Sequence, residues 1–185
     1  MLVASCILFA SCGNCPDYPI EPDVVRFLPY QANQVVVFED AAQNLDTLTV
    51  SSYYRGFDTE TCTNNSNQTF EYERILITLG TIAGDSLYVL FENTTPEKLS
   101  MRFMDNIGTR GFDPLTGTVD GGTINNNYET FAFQATEVVN GTTYQKVSTY
   151  SLTSYNDSRM ETVKLAIDFG VVAYMTDGGV WWYLH

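Results

Sequence analysis

The chain has 185 residues, enough for one domain with a sizeable core. Its 22 Asp and Glu against 9 Lys and Arg leave a net charge of −13, which speaks against nucleic acid and anionic headgroups as partners, since both are bound through Lys and Arg on phosphate. At 44% hydrophobic residues the chain is too apolar to stay disordered.

Residues 1–11 read as a signal peptide. An apolar run ends in Leu8-Phe9-Ala10-Ser11 directly before Cys12, the pattern of a lipoprotein signal cleaved before a cysteine whose thiol is then acylated. No Lys or Arg precedes the run and it is short, which points to a start upstream or a trimmed chain. Val3-Ala4-Ser5-Cys6 is a second cleavage pattern with little apolar sequence before it. The competing reading is a buried N-terminal strand. Against it, Gly13-Asn14-Cys15-Pro16-Asp17-Tyr18-Pro19 continues neither strand nor helix. Residues 12–23 are then a lipidated cysteine and an extended linker with prolines at 16, 19 and 22.

Of four cysteines, Cys6 leaves with the signal and Cys12 takes lipid, so Cys15 and Cys62 remain. In an oxidising compartment these two pair most simply, and closing so long a loop is worth about 4 kcal/mol. The alternative is two free or metal-binding thiols.

Residues 24–185 read as one β domain. Val35-Val36-Val37-Phe38 is a strand, followed by a turn at Ala41-Ala42-Gln43-Asn44. Leu48, Val50 and Ser52 then alternate with polar neighbours. Asp58 to Gln68 is polar and reads as a loop. Ile75, Ile77 and Leu79 form the clearest strand, and Leu87, Val89 and Phe91 the next. Thr94-Thr95-Pro96-Glu97 has the look of a helix start, but Leu99, Met101 and Phe103 alternate as a strand. Asp105 to Asn127 is a long Gly/Asn/Asp-rich loop. Phe131, Phe133 and Ala135 lead into Asn140-Gly141, the strongest hairpin signal in the chain, and Thr142 to Leu152 returns. A second polar break covers Thr153 to Glu161. Val163, Leu165, Ile167 and Phe169 alternate as one strand, Gly170 marks a bulge, Asp177-Gly178-Gly179 turns, and Val180 to Leu184 is a last strand. The fold class is therefore all-β: a single antiparallel meander of about eight to ten strands, either a sandwich or an open or closed barrel.

Three stretches carry a resemblance: Ser11-Cys12; Phe27-Leu28-Pro29-Tyr30 leading to Phe38; and Asp168-Phe169-Gly170-Val171-Val172-Ala173-Tyr174, followed by a turn and a tryptophan strand. In these the chain resembles small β-rich outer-membrane lipoproteins of Gram-negative gut anaerobes. That group carries no established activity to transfer. The resemblance implies export, acylation of Cys12 and residence at the outer membrane, facing the periplasm or the cell surface. It also suggests O-glycosylation at Asp46-Thr47-Leu48 and Asp85-Ser86-Leu87.

Catalytic motifs are absent or incomplete. Gly84-Asp85-Ser86-Leu87 spells the nucleophile block of a hydrolase family, but the one histidine is His185, and Trp182 stands where that family needs an aspartate. No cofactor is implied. His185 alone makes no metal site, and Asp105, Asp113 and Asp120 are weak calcium candidates whose spacing fits no EF-hand. The ligand-binding candidates are Trp181, Trp182 and Tyr183; three consecutive aromatics cannot all face one side of a strand. The expected function is a membrane-tethered domain that binds a glycan, a protein or an apolar molecule. The alternatives are an envelope hydrolase built on paired carboxylates, and a structural component with an exposed strand edge near Gly170 and the tryptophan strand.

Overall fold

A computed structural model describes residues 19–62, 65–81, 86–93, 99–103, 125–126, 129–152, 160–176 and 178–185. Among the described residues the helical content is one short turn, α1 (Pro22–Val25), with Pro22 at its start where no N–H is needed. Everything else regular is strand: β1 (Val35–Asp40), β2 (Leu45–Cys62), β3 (Asn65–Thr81), β4 (Ser86–Asn93), β5 (Leu99–Phe103), β6 (Asn125–Asn126), β7 (Glu129–Val139), β8 (Thr142–Leu152), β9 (Met160–Ala166), β10 (Gly170–Thr176) and β11 (Trp181–Leu184).

These strands form one antiparallel sheet in the order β5-β4-β3-β2-β1-β11-β10-β9-β8-β7-β6. The all-β meander expected from the sequence is what the chain builds, and the sheet curls into a half-barrel. Chain order runs outward both ways from the centre, where the first strand pairs with the last: Phe38 faces Leu184, and Glu39 faces Tyr183. The two edges of the described sheet, β5 and β6, are consecutive in the chain.

The inner face holds the main core. Val36 and Phe38, Leu48 and Val50, Ile75, Ile77 and Leu79, Val163 and Leu165, and Val171 and Tyr174 are all buried there. The alternation read from the sequence thus matches the pleat. Residues 19–30 form a strap across this face. Ile20, Val24, Phe27, Leu28 and Tyr30 are buried in the same cluster. Polar bonds fix the strap at three points. Ile20 N–H donates to the buried Glu73 carboxylate (2.8 Å), which also takes Arg55 Nε (2.5 Å). Arg26 grips Asp168 with both arms, Nε to Oδ1 at 2.7 Å and Nη2 to Oδ2 at 2.6 Å. The Tyr30 hydroxyl accepts the Val171 N–H at 2.5 Å. Part of the stretch read as linker is therefore core: Ile20 is 3% exposed.

Turns follow local chemistry. Asn140 (φ +46) and Gly141 (φ +81) close the β7–β8 hairpin with the positive φ pair of a type I′ turn. At residues 41–44, Asp40 accepts Ala42 N, Asn44 N and Asn44 Nδ2. The Asn44 side chain and these N–H groups hold its carboxyl below the usual range.

Two readings are corrected. The polar stretch Asp58 to Gln68 is not simply a loop: β2 runs to Cys62 and β3 starts at Asn65, with Thr59 paired to Glu71 and Thr61 to Thr69. A ribbon beyond the core needs only ladder bonds, so it lacks the apolar alternation that announces a half-buried strand, while its threonines still favour extended backbone. The run Val163 to Phe169 is not one strand. It folds at Ile167-Asp168-Phe169 into β10, with Asp168 at φ +69 and Gly170 at φ +75. Asp tolerates that conformation better than other non-glycine residues, and Arg26 fastens it.

Candidate functional site

The candidate site is built on β11, which lies at the centre of the sheet between β1 and β10. Strand alternation separates the three aromatics. Trp182 turns inward and packs against the main core, Trp181 and Tyr183 join the outer face, and Leu184 packs against both clusters.

On the inner side Trp182 stacks on Tyr174 (6.2 Å between centroids, 13° between planes), and Tyr174 meets Phe38 edge to face at 5.0 Å. The Tyr174 hydroxyl donates to Asp46 Oδ2 at 2.5 Å. Burial, and then the Asp46 carboxylate, push this hydroxyl's pKa well above the usual tyrosine range. Asp46 also accepts its neighbour Thr47 N–H. Trp182 is thus a structural member of an aromatic stack.

On the outer side Trp181 and Tyr183 lie with near-parallel planes, 6.1 Å between centroids and 14° apart. Both are half-buried. They roof a second cluster, Val139, Tyr144, Val147, Ala166, Val172 and Ala173, all buried. The Val171/Ala173 bulge in β10 makes this possible: Val171 stays in the inner cluster, while Val172 and Ala173 both join the outer one. On β8, where Lys146 stands at φ +48, Tyr144 and Val147 also share the outer cluster although they are three residues apart. Tyr144 meets Phe169 edge to face at 5.0 Å on its flank.

Charges border the outer pair. Lys164 Nζ stands 5.6 Å from the Trp181 ring centroid and is ion-paired with Glu137. Glu39, the register partner of Tyr183, bonds His185 Nδ1 at 2.9 Å. Sequence reasoning missed Lys164 and Glu137. The available signal was the outward phase of Lys164 between buried Val163 and Leu165. Their meeting with Trp181 depends on strands distant in sequence.

The other expected sites fare unevenly. Cys12, Cys15, Asp85, Asp105, Asp113 and Asp120 lie outside the described residues. Cys62 ends β2 and Ser86 begins β4. Thr47 sits on β2 opposite Val37, half-buried. Among the described residues no group of three or more His, Cys, Asp or Glu side chains gathers as a metal site. Paired carboxylates in a cleft would serve the hydrolase alternative. Here Asp46 is taken by Tyr174, Asp58 by Arg74, Glu73 by Arg55 and Ile20, Glu137 by Lys164, and Glu39 by His185. Asp23 and Asp168 do share a partner, Arg26, on the open surface. The tryptophan strand is also not an edge: β11 is paired on both sides, and Gly170 opens β10 between β9 and β11.

The fold and this face define an all-β, single-sheet domain with an aromatic patch on a central strand. Comparison with protein-family models, curated proteins and solved structures returns no match. The function is therefore argued from the site.

Proposed function

We propose that the protein is an exported, lipid-anchored binding domain, tethered through Cys12 to the outer membrane, and that it meets its partner with the outer face of β11. The observation that carries this reading is the aligned, half-buried Trp181–Tyr183 pair on the outer face, bordered by charged side chains. Aromatic rings with an apolar body and a polar rim are what binding surfaces use to gain area at low entropic cost.

The anchor reading is supported by Ser11-Cys12 and by the way the strap begins. Ile20 is held at Glu73, so the preceding residues act as a short leash. The same geometry supports a Cys15–Cys62 bridge. Glu73 pairs with Phe57, and strand residues 57–62 span about 17 Å at the strand rise. Five residue steps, the separation of Cys15 from Ile20, can reach at most about the same distance. A bridge would fix the leash along the β2–β3 ribbon.

Two experiments test the proposal. Palmitate labelling in a lipoprotein-processing host is expected for wild type and lost in Cys12→Ser; label retained by the variant, or absent from wild type, sinks the anchor. Binding is read from tryptophan fluorescence, since both tryptophans of the chain are on β11. Screening oligosaccharides and peptides should yield ligands whose signal depends on Trp181; ligands unaffected by Trp181→Ala would move the site elsewhere.

A further inference from the structure

The outer pair already carries a cation. Lys164 reaches Trp181 from β9, two strands away, across β10. In register it faces Ala173, which in turn faces Tyr183. Ala173 offers only a methyl group between them, so the lysine stem can cross. Glu137 holds the ammonium from the far side.

An ammonium over a tryptophan face is attracted by the ring quadrupole. Here carboxylates stand on both flanks, Glu137 beside Lys164 and Glu39 opposite Tyr183. The whole chain, at −13, draws cations toward its surface. A neutral sugar ring gains from neither field. The contact made by Lys164 is therefore an internal copy of the contact the site is suited to make.

We propose that the Trp181–Tyr183 pair receives a lysine ammonium from a basic segment of a partner protein, and that Lys164 is the built-in competitor which that ammonium displaces. This rests on the reading of the β11 outer face as the contact surface. Lys164 and Glu137 are both mostly covered, their side chains 18% and 15% exposed, so the incoming lysine must exchange with a settled pair. Wild type binds weakly, and the strength of the Lys164–Glu137 pair sets how weakly.

The test uses the full chain carrying Cys12→Ser and isothermal titration with tetralysine, against tetralysine acetylated at every Nζ. Acetylation removes the charge and keeps the stem. Wild type should bind the charged peptide and not the acetylated one. The double variant Lys164→Met/Glu137→Gln removes the competitor together with the carboxylate that holds it, so net charge stays at −13 and the Glu39 flank remains. It should bind tetralysine about five-fold more tightly or better, the scale of one cation–π contact. Trp181→Ala, also charge-neutral, should lose a similar factor, and Trp181→Phe should retain part of it. Should the double variant fail to fold, the two Trp181 variants and the acetylated peptide carry the test.

Three results would overturn the proposal: equal binding of the acetylated peptide, Trp181→Ala binding as wild type does, or a folded double variant that binds no more tightly. A neutral oligosaccharide that binds wild type and is lost in Trp181→Ala, with tetralysine inert, would leave the contact surface standing and end the ammonium assignment. If neither ligand class depends on Trp181, the contact surface itself falls.

Discussion

Replacing Gly170 with alanine should be among the most damaging single-methyl changes in the domain. Gly170 sits at φ +75, and an added Cβ would lie 2.8 Å from Tyr30 Cε2 and closer still to Cζ and the hydroxyl oxygen. The left-handed backbone alone costs an alanine about 1 kcal/mol. The ring cannot swing aside cheaply, because Tyr30 is 5% exposed and wedged in the core. Moving it also breaks the bond that satisfies the buried Val171 N–H, worth about 1–3 kcal/mol. The sum is about 2–4 kcal/mol, or roughly 10 °C in Tm for a chain of this size. Gly141→Ala is the control. Its φ is +81 but nothing lies within 4 Å of the added Cβ, so it should cost only about 1 kcal/mol. Urea denaturation of both variants, of Tyr30→Phe, and of Gly170→Ala/Tyr30→Phe gives the comparison. The double variant should cost clearly less than the two single costs added, because both act on one contact. If Gly170→Ala costs no more than Gly141→Ala, or if the effects of Gly170→Ala and Tyr30→Phe simply add, the wedge explanation is wrong.

Three further outcomes are expected. Tyr30 and Tyr174 keep their protons above the usual tyrosine range, Tyr30 through burial, and Tyr174 through burial and then Asp46. Their folded-state pKa values are raised, so their contribution is intact below about pH 10 and is lost as pH rises above it, by up to about 1.4 kcal/mol per pH unit for each; chemical denaturation of wild type against Tyr174→Phe between pH 8 and 12 reads this. Asp168 is displaced the other way, held low by the Arg26 guanidinium. Its stabilisation is present above the ordinary carboxyl pKa and fades as pH falls below it, so Asp168→Asn should be less stable than wild type at pH 7 and the gap should close toward pH 3; a gap constant over that range would disprove the link. Glu73→Ala removes the acceptor of the Ile20 N–H and the partner of Arg55, which should cost about 2–4 kcal/mol and make the strap cleavable by protease near Ile20 under native conditions; unchanged protection would mean the apolar residues of the strap hold it unaided.

Residue types and their spacing were enough to read the fold class. Ile75, Ile77 and Leu79 alternate because a strand with one buried face must, and Asn140-Gly141 reads as a turn because few residue pairs accept two positive φ angles. Such local rules also give the central turn at 41–44 and the final strand at 181–184. Non-local packing decided the rest. That the first and last strands meet at the centre of the sheet, that Ile20 and Phe27 fill its inner face, and that the run 163–169 folds at Asp168 under Arg26 all depend on partners far apart in the chain, 53 residues for Ile20 and Glu73 and 142 for Arg26 and Asp168. The same holds for the site. Alternation alone says that Trp181 and Tyr183 part from Trp182. That a bulge at Val172 builds a second small core beneath them, and that Lys164 crosses Ala173 to reach Trp181, follows only once β9, β10 and β11 lie side by side, because register between strands is set by the whole sheet.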